Sequence, residues 1–221
     1  MKSSALDYVL STIMLGLIGI ACWGITVGVS STGADKIGIY RVLVEVLVFL
    51  LSFGLLSAFT ARMLIRFFPL GEGVIQMSDS RFVVWKLYTV LYEFGCGALK
   101  PFTVMFLRPV VQQLFGASIG KDVALGGKLV DPHMIRLADE AIIGEGSVVT
   151  AHAINSGSIL LAPVIIERGA TVGVGAVIYP GVIIGEQAVV AANAVVRSGT
   201  KIPAGEFWGG IPAQCLRSYP D

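Results

Sequence analysis

From about residue 119 to residue 203 the chain repeats itself every six residues. Every sixth position from Ile166 reads Ile166, Val172, Ile178, Ile184, Val190, Val196 and Ile202. Four residues after each of the first five lies Ala170, Ala176, Val182, Ala188 or Ala194, and Gly169, Gly175, Gly181 and Gly199 fall between them. An apolar residue at i, a small one at i+4 and a turn-permitting one at the bend is the hexapeptide repeat. It specifies a parallel β-helix, with one short strand per hexad and three strands per coil. No coil buries its own inner face, so coils must stack into one continuous core. An ordinary Val/Ile-rich sheet has no reason to keep this period.

Upstream the register continues through Ile119, Leu125, Leu137, Ile143 and Val149 and breaks twice. Asp131 takes a slot that calls for an aliphatic residue, and Val149 to Ile166 is 17 residues rather than 18, so a residue is missing or a short loop intrudes at 151–158. Residues about 18 apart stack on adjacent coils. His133 and His152, the only two histidines, should therefore share a corner, with Asp131 lying under Val149 close by. Breaks in an otherwise consistent pattern are where a site is expected.

The remainder is a different material. The chain is 55% hydrophobic and 14% charged, with net charge +1, which implies no polyanionic partner. Its mean hydropathy of +0.80 is that of a membrane protein. Two runs, 6–29 and 37–61, reach the roughly 20 apolar residues that a span requires. A cleavable signal peptide is the alternative for the first, opposed by its length and by the second run that follows at once. Lys2 precedes the first run, Arg62 and Arg66 follow the second, and the connecting loop 30–36 balances Lys36 with Asp35. The positive-inside rule places both termini and the repeats in the cytoplasm, beneath the inner membrane. Arg41 and Glu45 have helical spacing for an ion pair. In 69–116, aromatic residues (Phe82, Trp85, Tyr88, Tyr92, Phe94) and then Phe102, Phe106, Leu107, Val110 and Leu114 alternate with polar ones. This pattern predicts amphipathic helices lying at the membrane interface. A third span at 82–99 is the alternative, opposed by Lys86 and Glu93. The expected organisation is a two-helix hairpin (1–68), interfacial helices (69–116), the β-helix (117–203) and a closing turn and tail (204–221).

Cys22, Cys96 and Cys215 have neither disulfide nor metal spacing, and there is no nucleotide-binding glycine motif, zinc-ligand run or nucleic-acid signature. The chemistry rests on the corner. Imidazole titrates near working pH and can take a proton from a hydroxyl or amine as it attacks a thioester. Small neighbours in Thr150-Ala-His152-Ala-Ile-Asn155 leave His152 reachable. Asp131 and Glu167 are candidates to fix its tautomer, and His133 is a second candidate base.

Two stretches carry a family resemblance. Ile202-Pro-Ala-Gly-Glu-Phe-Trp-Gly-Gly-Ile-Pro-Ala213 resembles the closing segment of hexapeptide-repeat acetyltransferases such as the galactoside and maltose enzymes. The His152 segment, with its Pro163-Val-Ile-Ile166 return, is similar to their catalytic histidine segment. The resemblance covers about 117–217. It implies a left-handed β-helix, a homotrimer, His152 as general base and acyl-CoA, acetyl-CoA above all, as co-substrate with no metal. Gly210 and Pro212 would lie over the coenzyme, Lys201 near its phosphates, and Ala192 and Asn193 along the pantetheine arm. Val189-Val-Ala-Ala-Asn193 departs from the family's Ile-Gly-Ala-Gly-Ser at that place. The run Leu107-Arg-Pro-Val-Val-Gln-Gln-Leu-Phe-Gly-Ala-Ser-Ile-Gly120, following two spans, is similar to the membrane-embedded C-terminal domains of nonribosomal peptide synthetase-like proteins such as epsilon-poly-lysine synthetase. The expected activity is membrane-anchored acyl transfer to a hydroxyl or amine of a membrane-proximal or lipid-linked acceptor. A non-catalytic trimeric scaffold or partner-docking module is the other reading. A β-helical carbonic anhydrase would want three zinc-binding histidines, where this sequence has two.

Overall fold

The computed structural model describes residues 5–218 in two compact units. Lys2 lies outside the described residues, as do the side chains of Asp35 and Lys36.

The first unit (1–70 and 80–103) is helical: α1 (Ala5–Ile37), α2 (Arg41–Phe67) and α3 (Ser80–Leu99). Two of its segments, Ala5–Ser31 and Gly38–Phe67, are long and apolar enough to cross a membrane. The expected loop at 30–36 is helical. Nothing in Ser-Ser-Thr-Gly-Ala-Asp-Lys stops a helix outright, and the break comes at Gly38, whose φ of +54° ends the helical path. The aromatic stripe of 82–99 is not a separate surface helix in this unit. Phe82, Trp85, Tyr88, Leu91 and Tyr92 are buried, and α3 packs along α2. The crossing uses small residues: Gly54, Ser57, Ala58 and Ala61 of α2 are buried, and a Cβ at Gly54 would lie 2.3 Å from Leu99 Cγ and 3.1 Å from the Gly95 carbonyl oxygen. Small side chains let helix backbones approach closely and gain contact along their length. Lys86 of α3 pairs with Asp7 of α1, and both are largely buried. Two charges that each interrupt an apolar run in the sequence thus compensate one another. Arg41 and Glu45 form the expected pair at 2.8 Å.

The second unit (71–79 and 104–221) is a β-solenoid of about five turns. Its strands are two to three residues long and pair parallel from coil to coil on three faces. The first face stacks Ile119, Leu137, Ile166, Ile184 and Ile202; the second stacks Leu125, Ile143, Val172, Val190 and Trp208; the third stacks Leu129, Val149, Ile178 and Val196. Ile166, Val172, Ile178, Ile184, Val190 and Val196 have no exposed surface, nor do the five small or aliphatic residues from Ala170 to Ala194. Each such Val or Ile removed from water stabilises by about 1.5–3 kcal/mol, which is how strands this short cohere.

The solenoid is closed below by α4 (Arg108–Leu114), where the sequence predicted a longer interfacial helix. Gln113 Nε2 donates to the Ile119 carbonyl at 2.7 Å and an Arg108 Nη to that of Gly126 at 2.9 Å, so the helix caps the first coil's orphan backbone. Above, the strands Phe207–Gly210 and Ala213–Arg217 form an antiparallel hairpin that extends the second face.

Candidate active site at the third–first edge

Both irregularities fall on the edge between the third and first faces, and each has a physical origin. Leu129, not residue 131, fills the core slot beneath Val149, so the expectation that Asp131 lies under Val149 is corrected. The step from Leu125 to Leu129 is only four, because Gly126-Gly127 makes a turn that no side chain fits. A Cβ at Gly127 would lie 2.3 Å from Ser147 Oγ and 2.7 Å from the Ser147 carbonyl oxygen. The two residues saved here return on the far side of Leu129 as the bend Asp131-Pro-His-Met134, which restores register at Leu137.

The second irregularity is an antiparallel hairpin, His152–Asn155 with Ser158–Leu161, extruded from one coil. Val149 to Ile166 is therefore one step between faces plus an insertion, rather than nearly three hexads. At its root, Ala162 N donates to the Ala151 carbonyl, and Ala151 N to that of Val130. A third strand, Gly73–Gln76, pairs antiparallel with Ser158–Leu161, aligning Gly73, Leu161 and His152 in one row. Ile75, Ile159 and Leu161 are fully buried.

His152 opens this hairpin one coil from Asp131. Its Nδ1 and Asp131 Oδ2 share a short hydrogen bond. The Asp131 side chain is 3% exposed and that of His152 19%, so the carboxylate is sequestered while the ring stays reachable. Asp131 has φ 60° and ψ 58°, left-handed backbone in front of a proline. Asp tolerates this conformation better than most residues, yet it remains strained, and such strain clusters at functional sites. Thr150 fixes the backbone: its Oγ1 accepts from His152 N at 3.3 Å and donates to the His152 carbonyl at 3.0 Å. With Nδ1–H donating to the carboxylate, the lone pair of neutral His152 lies on Nε2.

His133 lies in the adjacent bend. Burial pushes its pKa down from 6.5 to about 4, against an opposing pull from Asp131, so the ring is neutral at physiological pH. Gly116, with φ +106°, backs this bend; a Cβ there would sit 3.0 Å from His133 Cβ. Glu167 is exposed on a different edge, between the first and second faces, and is not bonded to His152. The corner thus brings together Asp131, His133 and His152 and leaves Glu167 outside.

The residues assigned to the coenzyme divide. Ala192 and Asn193 turn between the second and third faces. Asn193 has φ 56° and donates its N–H to the Val174 carbonyl at 2.9 Å. The hairpin of Gly210 and Pro212 continues the strand beside Val189-Val190, and a Cβ at Gly209 would touch Ala191 Cβ at 3.1 Å. Lys201 lies apart, exposed on the first face just after the edge that carries His152. Thr150 and the strand Gly73–Gln76 escaped sequence reasoning. Thr150 could have been found as a hydroxyl two residues before a candidate base; a four-residue strand pairing across 80 positions carries no local signal.

Residues 163–198 match a family model described as the hexapeptide repeat of succinyl-transferase. Over 103 residues the chain is 32% identical to a mitochondrial gamma carbonic anhydrase 1 of Arabidopsis thaliana, a match covering 47% of this chain and 26% of that relative's length. A carbonic anhydrase of that fold would hold zinc through three histidines. Two exist here, and no group of three His, Cys, Asp or Glu among the described residues could hold a metal. Among solved structures, a hexapeptide-repeat-containing acetyltransferase from Vibrio cholerae superposes with TM-score 0.50 at 23% identity, over 59% of this chain and 92% of that one. A maltose O-acetyltransferase from Clostridium difficile 630 superposes with TM-score 0.47 at 17% identity, over 69% and 95%. By its period and its three-faced stacking the second unit has the β-solenoid fold, and residues 163–198 within it match the hexapeptide-repeat model.

Proposed function

We propose that the protein is a membrane-anchored, CoA-dependent acyltransferase that moves an acyl group, acetyl above all, to a hydroxyl or amine of a membrane-proximal acceptor. The observation that carries this reading is the buried, left-handed Asp131 bonded to Nδ1 of a reachable His152. Support comes from the succinyl-transferase repeat model and from the acetyltransferase that shares the fold.

In this mechanism the acceptor's O–H or N–H donates to His152 Nε2 while its heteroatom attacks the thioester carbonyl of acyl-CoA. The imidazolium that forms is stabilised by its hydrogen bond to the Asp131 side chain. Collapse of the tetrahedral oxyanion breaks the C–S bond. The departing CoA thiolate takes the proton from Nε2, which returns the ring to its starting state. His133, held neutral beside the carboxylate, adds no competing charge. Ala192, Asn193, Gly210 and Pro212 offer backbone groups along one side of the coenzyme, and Lys201 a cation for phosphate. We read the assembly as a homotrimer, with α1 and α2 spanning the inner membrane and both termini cytoplasmic.

The test uses the full chain in lipid nanodiscs with radiolabelled acetyl-CoA and host lipid extract. His152→Ala should reduce label transfer by about 10²–10⁴-fold, the contribution of a general base, while thermal stabilisation by acetyl-CoA persists. Loss of under tenfold in an assembled variant removes His152 as the base. If the wild type gains no stability from any acyl-CoA, a scaffold is left instead. Thiol labelling from outside intact cells should reach Gly33→Cys and not Arg217→Cys, in a background without native cysteines; the reverse pattern removes the protein from the acyl-CoA pool.

A further inference from the structure

The segment that closes the first coil presents an apolar surface to solvent. Val104 is 49% exposed, Met105 74%, Phe106 78% and Val110 49%, with Leu107 also exposed, all within seven residues. The opposite side of the same segment is committed to the solenoid through Gln113, Arg108 and the fully buried Phe115. The outward residues are therefore not core side chains that failed to find a place. Along the coils of the β-solenoid, exposed apolar residues such as Ile142, Val174 and Tyr179 occur singly, and the closing hairpin adds Ile211 and Leu216; a run of five within seven residues is instead a contiguous patch of the kind that marks an interaction site.

We propose that this cap, residues 104–110, docks the β-solenoid on the lipid bilayer surface with its His152 end toward the membrane. Three observations choose lipid as the occupant. In the chain the cap follows two helices of spanning length, separated from α3 by the short stretch that holds Lys100. Its composition, a Phe with Met, Leu and Val and no acidic residue, is that of the apolar side of segments that lie in the interfacial layer. A second apolar row lies on the hairpin sheet of the second coil: Ala153, Leu160 and Val74 align across it on the face opposite His152, and Val74 is 62% exposed.

The orientation deepens the catalytic reading above, on which its consequence for the acceptor rests. Successive coils are about 4.8 Å apart. Asp131 lies on the first coil above the cap and His152 on the second, which places the base roughly 5–10 Å above the docking layer. The interfacial region on each side of a bilayer is about 5–8 Å deep. The base therefore stands at the outer edge of the headgroups, where it meets a hydroxyl or amine borne on a lipid headgroup or lipid-linked carrier. The hairpin of Gly210 and Pro212, some three coils further on, stands roughly 15 Å deeper in water, where a soluble acyl-CoA arrives. The acceptor class is an amphiphile that stays in the membrane during transfer.

The test places a nitroxide on Phe106→Cys or on Val174→Cys in the full chain, without native cysteines, in nanodiscs of phosphatidylcholine and phosphatidylglycerol. Collision with oxygen and with a water-soluble nickel chelate is read for each label. Docking predicts that the label at 106 collides preferentially with oxygen, at interfacial depth, while that at 174 collides with the chelate as a label in water does. Equal chelate accessibility at the two positions overturns the proposal. Protection of 106 from both reagents also overturns it, because the cap is then covered by protein. The depth readout is independent of turnover: interfacial depth at 106 combined with undiminished transfer by His152→Ala would keep the docking and discard the catalytic reading.

Discussion

Replacing Asp131 by Asn isolates the role of its charge. The two side chains have nearly the same volume, and Asn also tolerates the left-handed backbone at φ 60°, so the bend should survive. What changes is the partner of His152 Nδ1 when the ring becomes positive during proton transfer. A hydrogen bond to a charged group contributes about 1.5–3 kcal/mol, against about 0.5–1.5 for a neutral one. The difference, about 1–1.5 kcal/mol, corresponds to roughly a fivefold to twelvefold loss in rate at about 1.4 kcal/mol per decade. A second effect adds to it. The carboxamide can present its N–H₂ to Nδ1, which moves the ring proton to Nε2 and disables the base in that fraction of molecules. The expected outcome is a fall in kcat of at least about fivefold, bounded by the roughly 10²–10⁴-fold contribution of the base itself, with KM for acetyl-CoA unchanged. Thermal stability should change little, because the lower desolvation cost of a neutral amide is opposed by the weaker hydrogen bond to Nδ1. Asp131→Ala separates backbone from charge, since a residue without a local polar side chain costs about 1–2 kcal/mol in this conformation, and its melting temperature should fall. The assay is label transfer at saturating acetyl-CoA, with assembly checked by detergent sizing. An assembled Asp131→Asn enzyme with wild-type kcat, or one altered only in KM, refutes the orienting role.

Three further outcomes follow from the same geometry. His133 has a pKa of about 4 in the fold and 6.5 as its ordinary value. Between these values the unfolded chain binds more protons, so stability is complete above about pH 6.5 and falls as pH drops toward 4, by about 2 kcal/mol between pH 7 and 5. Denaturation at several pH values should show this slope in the wild type and a shallower one in His133→Gln; identical slopes would remove the burial argument. Gly127→Ala must displace Ser147, whose Oγ and carbonyl oxygen lie 2.3 and 2.7 Å from the new methyl, so overpacking of about 1–3 kcal/mol should lower the melting temperature; an unchanged melt would show that the short turn does not depend on glycine. Ile75→Ala vacates a fully buried position opposite Ile159. Hydrogen exchange should accelerate in 152–161 and not in 171–196, and kcat should fall as the His152 hairpin loosens; uniform protection would mean that the strand Gly73–Gln76 does not hold the hairpin.

The β-solenoid was legible because its information is local and repeated: each hexad states the same preference, and the core positions from Ile166 to Ile202 are the ones the period selects. The candidate corner was harder to register for a reason that lies in arithmetic of the chain. A four-residue step from Leu125 to Leu129 and an eight-residue step from Leu129 to Leu137 together equal two hexads, so counting by six passes through Asp131 with no sign of error. The doublet Gly126-Gly127 was the available clue. Likewise the 17 residues from Val149 to Ile166 imitate three hexads, although Asn155-Ser-Gly157 between alternating apolar residues is a hairpin signal in its own right. The pairing of Asp7 with Lys86 and the strand Gly73–Gln76 left no trace, because both are made by partners about 80 residues away.

That the pairing of Asp131 and His152 could still be anticipated from a wrong register has a physical explanation. In a solenoid, distance along the chain converts to translation along the axis, and one coil of about 18 residues advances only about 4.8 Å. Two side chains roughly one coil apart on the same edge therefore meet even when the count is off by a residue or two. The slip decides which backbone conformation presents them, not whether they meet. Here that difference matters chemically. A core-facing Asp in a strand slot beneath Val149 would bury its carboxylate among Val and Ile, whereas the left-handed bend turns it out of the stack toward Nδ1 of His152. The irregular turn is thus the device that lets a carboxylate side chain stand 3% exposed beside an apolar core and still serve a ring at the surface. Moving two residues from the 131–134 bend into the turn before Leu129, so that both steps become six residues, should remove that bend and separate the pair while leaving the stacked faces intact.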